Sequence, residues 1–309
     1  MTNRYQGVDP VLTNVSIGYQ NSAYIAETLF PSLRVSKQSG KHFIYDKGKF
    51  RVTDNERGAG ARSHETTLSL TTGLPYFCED HALKQFVTDE DVDGAVPPMD
   101  PFQDATENVT EQHLVARENE LAASLTSTSV LTQYTTLSGT SQWSDYSNSD
   151  PIGIIRTGKQ TIHSAIHVDP NVLVLGKQVY DKLVDHPAVI ERVKYSQLGV
   201  ATPELLARLF DVERVIIGAA GKNTAVEGQT DAMGYIWGKN AILAYVNPRV
   251  SQKMITLGMT YQWKDRQVER LRGTDEEDRK GTYVRVGNHY YDQNLVSASA
   301  GYLVTAAVA

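Results

Sequence analysis

The stretch DPFQDATENVTEQHLVARENELAASLTST, beginning at Asp100, constrains the fold of this chain more than any other. Asp100 stands as an N-cap, Pro101 takes the first turn, where its missing N–H costs nothing, and Gln103 completes a capping-box pattern. Phe102, Ala105, Val109, Leu114, Ala116, Leu121 and Leu125 form an approximate apolar stripe. At 1.5 Å per residue, about 25 helical residues make a rod of roughly 35–40 Å, long for a compact domain of this size. The helix reads as a structural spine.

A second stretch has the opposite character. Within KGKFRVTDNERGAGARSHETTLSL, Lys47 to Leu70, the aliphatic side chains between Arg51 and Thr66 are Val52, Ala59 and Ala61. Two strand candidates flank it, KHFIYDKGKFRV and TTLSLTT, both rich in β-branched or aromatic residues; Leu68 and Leu70 alternate with Thr67, Ser69 and Thr71. Gly58-Ala59-Gly60 marks a flexible tip. An arm this polar has no core of its own to pack into.

The remaining elements fall around these two. Residues 1–40 read as a loose arm with one short helix, NSAYIAETLF, starting at Asn21 or Ser22 and stopped by Pro31, with Tyr24, Ile25, Leu29 and Phe30 on one sticky face. Leu131 to Asp150 is polar and turn-rich, so it is the best boundary between two bodies. Beyond it helices and apolar strands alternate: PIGIIRTGKQTIHSAI, KQVYDKLVDHPAVIERV and PELLARLF as helices, NVLVLG, RVIIG, GYIWG and AILAYV as strands. That pattern is a mixed α/β body. From Ser251 onward the chain reads as β-strands with a charged turn from Asp275 to Lys280.

Composition narrows the function. The 309 residues suggest two domains or one elaborate one. Lys and Arg number 30 against 36 acidic residues, a net charge of -6, which is the wrong sign for gripping nucleic-acid phosphates over a whole surface. Cys78 is the single cysteine, so the chain has no internal disulfide and no Cys-rich zinc site; a small buried thiol in a reducing compartment is expected. No run of about 18 apolar residues and no secretion signal is visible, so a cytoplasmic place of synthesis is expected, with no membrane partner.

Motifs for chemistry each meet a plainer reading. Asp89, Asp91, Asp93, Gly94 and Asp100 match calcium-loop spacing, yet Pro97 and Pro98 stand where the exit helix should start and Asp100 already caps the spine, so an acidic linker is favoured. IIGAAGKNT has Ile216 in place of a phosphate loop's first glycine and Asn223 in place of its Ser or Thr, and reads as a strand and turn. His163 and His167 lie one helical turn apart, but Ser164 replaces the glutamate of a zinc protease. No nucleophile elbow occurs. The opposite-signed blocks Arg266, Arg270 and Arg272, then Asp275 to Asp278, suit a solvated hairpin or complementary contacts between identical subunits.

The order of parts resembles the major capsid protein of tailed bacteriophages, whose fold is shared with encapsulins. NVSIGYQNSAYIAETLFPSLRVSKQSGKHFIYDKGKF looks like the arm and the start of the extended loop of that family, and CEDHALKQFVTDED like its return. DPIGIIRTGKQTI, NVLVLGKQVYDKLVDHPAVIERVKYS and GYIWGKNAILAYV look like its axial domain. The resemblance covers nearly the whole chain. It implies an α+β fold: N-terminal arm (1–40), extended β-hairpin loop (41–85), peripheral domain with the spine helix (86–150), α/β axial domain (151–250), and C-terminal strands completing both (251–309).

It also implies a non-enzymatic role without cofactors: copies assembling as pentamers and hexamers into an icosahedral head around double-stranded DNA. Expected partners are copies of the chain itself, a separate scaffolding protein, since the capsid-like text starts within about the first dozen residues, a portal at one vertex, and decoration proteins. The expected place is the virion capsid, assembled in the bacterial host cytoplasm. Lys47, Lys49, Arg51, Arg57, Arg62 and Glu65 of the loop, with Arg270, Arg272, Asp275, Glu276 and Glu277, are the expected intersubunit contacts. Some relatives join Lys to Asn covalently after assembly; Lys47 and Lys49 lie in the right region, but no Asn and Glu partner pattern accompanies them, so uncrosslinked shells are expected. The alternatives are an encapsulin-like compartment, and a metal-dependent enzyme built on His163 and His167 or a calcium module at Asp89 to Asp100.

Overall fold

The computed structural model describes residues 6–19, 21–45, 51–66, 70–193, 202–226, 228–251, 254–272 and 279–309. In chain order it begins with β1 (Gln6–Val8), α1 (Pro10–Gly18), α2 (Ala26–Leu29), β2 (Ser32–Arg34), β3 (Ser39–Tyr45), β4 (Leu70–Phe77) and β5 (Glu79–Thr88). Next come α3 (Asp89–Gly94), α4 (Pro101–Leu125), β6 (Tyr134–Thr136), α5 (Pro151–Ile166), β7 (Val172–Gly176), α6 (Lys177–Val184), α7 (Pro187–Val193) and α8 (Pro203–Phe210). The chain ends through β8 (Arg214–Gly218), β9 (Gly221–Asn223), β10 (Met233–Tyr235), β11 (Ala241–Ala244), β12 (Gly258–Lys264), β13 (Gln267–Leu271), β14 (Gly281–Leu295) and β15 (Gly301–Thr305).

Asp-Pro pairs open three of the helices. Asp9, Asp100 and Asp150 accept hydrogen bonds from backbone N–H groups that a helix start leaves unpaired, and Pro10, Pro101 and Pro151 take the position that needs no N–H. The capping box expected on α4 is half made. Asp100 Oδ1 accepts from Gln103 N at 3.4 Å, and from Phe102 N at 3.0 Å, while the Gln103 side chain donates along the helix to Glu107 Oε1 at 2.9 Å instead of reaching back.

A long hairpin organises the first sheet, of six strands. β12 and β13 lie end to end along one edge of β14, and β5 pairs antiparallel along its other edge, from Thr88 opposite Gly281 to Glu79 opposite Tyr291. Pieces of the arm close the outer flank: β1 runs antiparallel to β13 and β2 parallel to β12. α4 lies against β5 and β14, with α1 beside it. The second sheet, of five strands in the order β6-β15-β11-β7-β8, has β7 and β11 buried at every position, as their unbroken apolar runs VLVLG and AILA require. α5 packs on this sheet through Gly158, where an added Cβ would stand 2.7 Å from Tyr302 Cδ1 and 2.8 Å from Leu243 Cδ1.

The main core joins the two halves. Ile25, Leu29 and Phe30 of the arm, Leu121 and Leu125 of the spine, Leu131, Trp143 and the strands of the five-stranded sheet form one buried cluster. Leu12, Val87, Ala105, Val109, Val268, Val284 and Val286 make a second under the first half of the spine. Val35, Tyr76, Cys78, Met259, Tyr261 and Val296 make a third.

Several expectations change. The arm is not loose with a single helix: it carries α1 as well, and α2 begins at Ala26, because Asn21 Oδ1 caps a turn at Ala23 N (3.0 Å) and is spent before the helix starts. The stripe on α4 is partly polar. Ala116 is exposed and Leu114 half-buried, while Thr106, Thr110, His113, Arg117 and Glu118 are buried. Residues 131–150 do not separate two bodies: Tyr134–Thr136 pairs with β15, and Leu131 and Trp143 are fully buried. KQVYDKLVDHPAVIERV breaks at Asp185 and His186, ahead of Pro187, into α6 and α7. GYIWG leaves its strand after Tyr235 and buries Ile236 and Trp237. Asp89 to Gly94, read as a linker, is helical, with Thr88 as its cap.

Candidate assembly surface

The extended loop grows from β3 and β4, which pair antiparallel from Ser39 opposite Phe77 to Tyr45 opposite Leu70. Its root is locked to the six-stranded sheet. The Tyr76 ring stacks on Tyr261 with centroids 4.3 Å apart, Tyr261 Oη meets His42 Nδ1 at 2.7 Å, and Asp292 Oδ2 accepts from Phe77 N at 2.9 Å. Cys78 Sγ lies 3.5 Å from Tyr261 O, and burial pushes its thiol up to about 11, so it behaves as the expected inert small hydrophobe.

Beyond this root the character reverses. Every residue from 51 to 66 is exposed, including Val52, and the loop bonds within itself: Glu56 N donates to Asp54 Oδ1 at 3.0 Å and Ala61 N to Gly58 O at 3.0 Å. Arg51, Arg57, Arg62 and Glu65 all stand in solvent. Lys47 and Lys49 lie outside the described residues. A polar limb on a rigid root offers charged side chains and backbone groups for an external contact, and little apolar surface.

Arg270 and Arg272, at the end of β13, hold acids of their own chain. Arg270 pairs with Asp9 Oδ2 at 2.9 Å and lies over the Phe102 ring at 4.3 Å, bracing the arm against the spine. Arg272 forks onto Asp89 Oδ1 and Oδ2 at 3.2 and 2.7 Å. Asp275, Glu276 and Glu277 lie outside the described residues.

A buried polar junction connects arm, spine and both sheets. Glu118 accepts from Trp237 Nε1 (2.6 Å), Ile25 N (3.1 Å) and Ala26 N (2.8 Å), so one carboxylate on α4 ties the start of α2 to the turn after β10. Burial raises its pKa while those donors and Arg117 oppose the rise. Glu111 accepts from Tyr24 Oη and from Asn21 Nδ2 in the same arm. Arg117 reaches Glu27 at 2.7 Å, and Arg266 donates to Ser16 O at 2.6 Å. The apolar-stripe pattern missed these residues; the signal it overlooked is Arg117-Glu118 on the helix face continuous with Leu121 and Leu125.

His163 and His167 sit edge to face at 6.1 Å, with His163 Nδ1 bound to Asp169 Oδ1 at 3.0 Å and His167 closing α5 in the left-handed conformation. Asp89, taken by Arg272, and Asp100, taken by the α4 cap, are spent on other bonds. Among the described residues no group of three or more His, Cys, Asp or Glu is arranged to hold a metal ion, and no helix is long and apolar enough to cross a membrane.

Comparison with known proteins agrees with an architecture of spine, hairpin loop and two sheets. The model of the family described as phage major capsid protein E matches residues 131–256, starting where the chain enters the five-stranded sheet. The major capsid protein of Burkholderia phage BcepMu is 32% identical over 305 residues, covering 96% of each chain. Among solved structures, a phage-related protein from Bordetella bronchiseptica RB50 superposes with a TM-score of 0.76 at 28% identity, covering 98% of both chains. The capsid of Cyanophage P-SCSP1u, at 10% identity, shares the fold with a TM-score of 0.61 over 93% of this chain and 89% of its own.

Proposed function

Because this chain belongs to the major capsid proteins of phages, we propose that its copies close as pentamers and hexamers into an icosahedral head enclosing double-stranded DNA. Its role in the capsid is structural. In the proposed head, α4 and the six-stranded sheet serve as the peripheral domain and the five-stranded sheet as the axial domain.

The observation that carries this reading is the loop of residues 51–66, exposed throughout on a root fixed by Tyr76, Tyr261 and Asp292. Ordering a chain segment costs about 1–2 kcal/mol per residue, and a lone subunit returns little of it here. A neighbouring subunit supplies the missing surface, with Arg51, Arg57, Arg62 and Glu65 as contacts. Many modest interfaces of this kind, repeated by symmetry, stabilise a shell.

The same reading assigns a separate scaffolding protein, a portal at one vertex, room for decoration proteins and assembly in the bacterial cytoplasm. The net charge of -6 supports a container that does not bind its DNA tightly or by sequence. Deleting Asn55 to Arg62 tests the role of the loop. The shortened chain should fold with an unchanged melting temperature and yield few shells when expressed with its neighbouring genes. Shells of equal yield and stability would refute that role, and shells filled with a cargo protein instead of nuclease-protected DNA would favour an encapsulin-like compartment.

A further inference from the structure

Two imidazoles stand together at the end of α5. His163 is in the last turn of the helix and His167 is its C-cap, and both line a cleft of about 830 Å³ between α5 and the end of α8, roomy enough for an ion with its water. Most other histidines are out of reach of solvent. Of the eight in the chain, His42, His113, His186 and His289 are buried, and His81 is stacked on Tyr291 with centroids 4.0 Å apart. By contrast the His163 side chain is 53% exposed, and His167 is exposed as well.

Three features prepare this pair for a cation. Asp169 Oδ1 lies 3.0 Å from His163 Nδ1. An ionised carboxylate has no proton to give, so Nδ1 carries the hydrogen and the neutral ring keeps its lone pair on Nε2; a carboxylate behind a histidine fixes the tautomer of a metal ligand in this way. The ring centroids of His163 and His167 are 6.1 Å apart. With metal–nitrogen bonds of about 2.0–2.1 Å, two imidazoles on one ion have centres up to about 6.4 Å apart, so rotation of two exposed side chains brings them onto a shared ion. Finally, α5 is 16 residues long, and the negative pole of its dipole, with the last carbonyls that lack helical partners, favours positive charge at this end. Lys159, a cation in the same lining, is already held by Asp211 through Oδ2 and the carbonyl oxygen, each at 2.6 Å.

We propose that His163 and His167 bind a late first-row divalent cation such as Zn²⁺, with Asp169 as the positioning residue behind His163 and water in the remaining coordination places. Two imidazoles fall short of the ligand set of a resident zinc centre, so the ion is exchangeable, and no catalysis is assigned to it. Nitrogen ligands select the ion: zinc, nickel and copper bind, whereas magnesium and calcium, which require oxygen ligands, do not. The site is independent of the capsid reading.

Calorimetric titration of the untagged, chelator-treated chain with zinc chloride tests the proposal. The parent should take up zinc, and magnesium chloride should give no binding heat. His163→Ala should reduce uptake to background, as should His167→Asn, chosen because asparagine tolerates the left-handed conformation of that position (φ 55). Asp169→Asn should weaken binding roughly 10–100-fold, and His64→Ala and His81→Ala should leave it unchanged. His163, His167 and Asp169 are all exposed, so without zinc their variants should melt as the parent does, and zinc should raise the melting temperature of the parent alone. A parent that takes up no zinc, uptake unchanged by His163→Ala with His167→Asn, or equal binding of magnesium would each overturn the site, and unchanged affinity in Asp169→Asn would remove Asp169 from it.

Discussion

His289 shows at the level of one side chain how the junction between spine and hairpin is built. It lies on β14 within electrostatic reach of Arg117 and Arg266, whose Nε–H groups are buried without a hydrogen-bond partner among the described residues. Burial first, then the two guanidiniums, then His113 and His81, push its imidazole from 6.5 down to about 2. His113, bonded to Val286 O at 3.1 Å, is lowered too, again chiefly by burial. A depressed folded-state pKa means that the unfolded chain takes up the proton first. Stability from these groups is therefore complete above about pH 6.5 and is lost as pH falls towards the folded values, at up to about 1.4 kcal/mol per pH unit for each group. Denaturant unfolding of the free subunit should show lower stability at pH 5 than at pH 7.5, with a shallower slope in His289→Gln. Equal slopes in the two proteins would remove His289 from the account. None of this was legible in the sequence: a histidine next to Asn288 in an alternating strand gives no sign that two arginines, from α4 and from the turn after β12, converge on it.

At the scale of elements, local chemistry was the readable part. The bounds of α4 follow from Asp100, Pro101 and the length of its pattern, and the extended hairpin from two strand-forming runs around a stretch without large aliphatic side chains. The same Asp-Pro signal at Asp9-Pro10 marks α1, which the arm's apparent looseness concealed. Elements that depend on distant partners were not readable. β2 is three residues long and exists because β12 supplies a parallel edge, and α2 is a four-residue helix held by burial of Ala26 and Leu29 and by Glu118. Gly158 gives an element-scale prediction in which two effects oppose. Alanine in the middle of α5 gains about 1 kcal/mol of helix propensity, but its methyl would meet Tyr302 and Leu243 at under 3 Å, and overpacking costs about 1–3 kcal/mol. Gly158→Ala should therefore lower the melting temperature by a few degrees; a rise would mean that α5 stands off the sheet more than its contacts indicate.

In the whole molecule the main core packs the arm and the end of the spine helix on the five-stranded sheet, two smaller clusters pack the six-stranded sheet, and the spine helix contributes to the main cluster and to one of the smaller ones. Because α4 contributes Leu121, Leu125 and Glu118 to the joint, the sheets are coupled through a rigid rod, while the exposed loop projects from the six-stranded side. The resemblance in the sequence reached this architecture through the order of its parts. The polar, turn-rich composition of 131–150 suggested a boundary there, because Leu131, Leu137 and Trp143, its large core residues, are too sparse to form a pattern. A molecule so arranged has a stable interior and an unsatisfied limb, which is the physical reason to expect assembly. Electron microscopy of the full chain, expressed alone and with its neighbouring genes, is the most direct test. The account predicts closed icosahedral shells with fivefold and sixfold clusters of subunits; particles that remain monomers or small oligomers under every condition would contradict it.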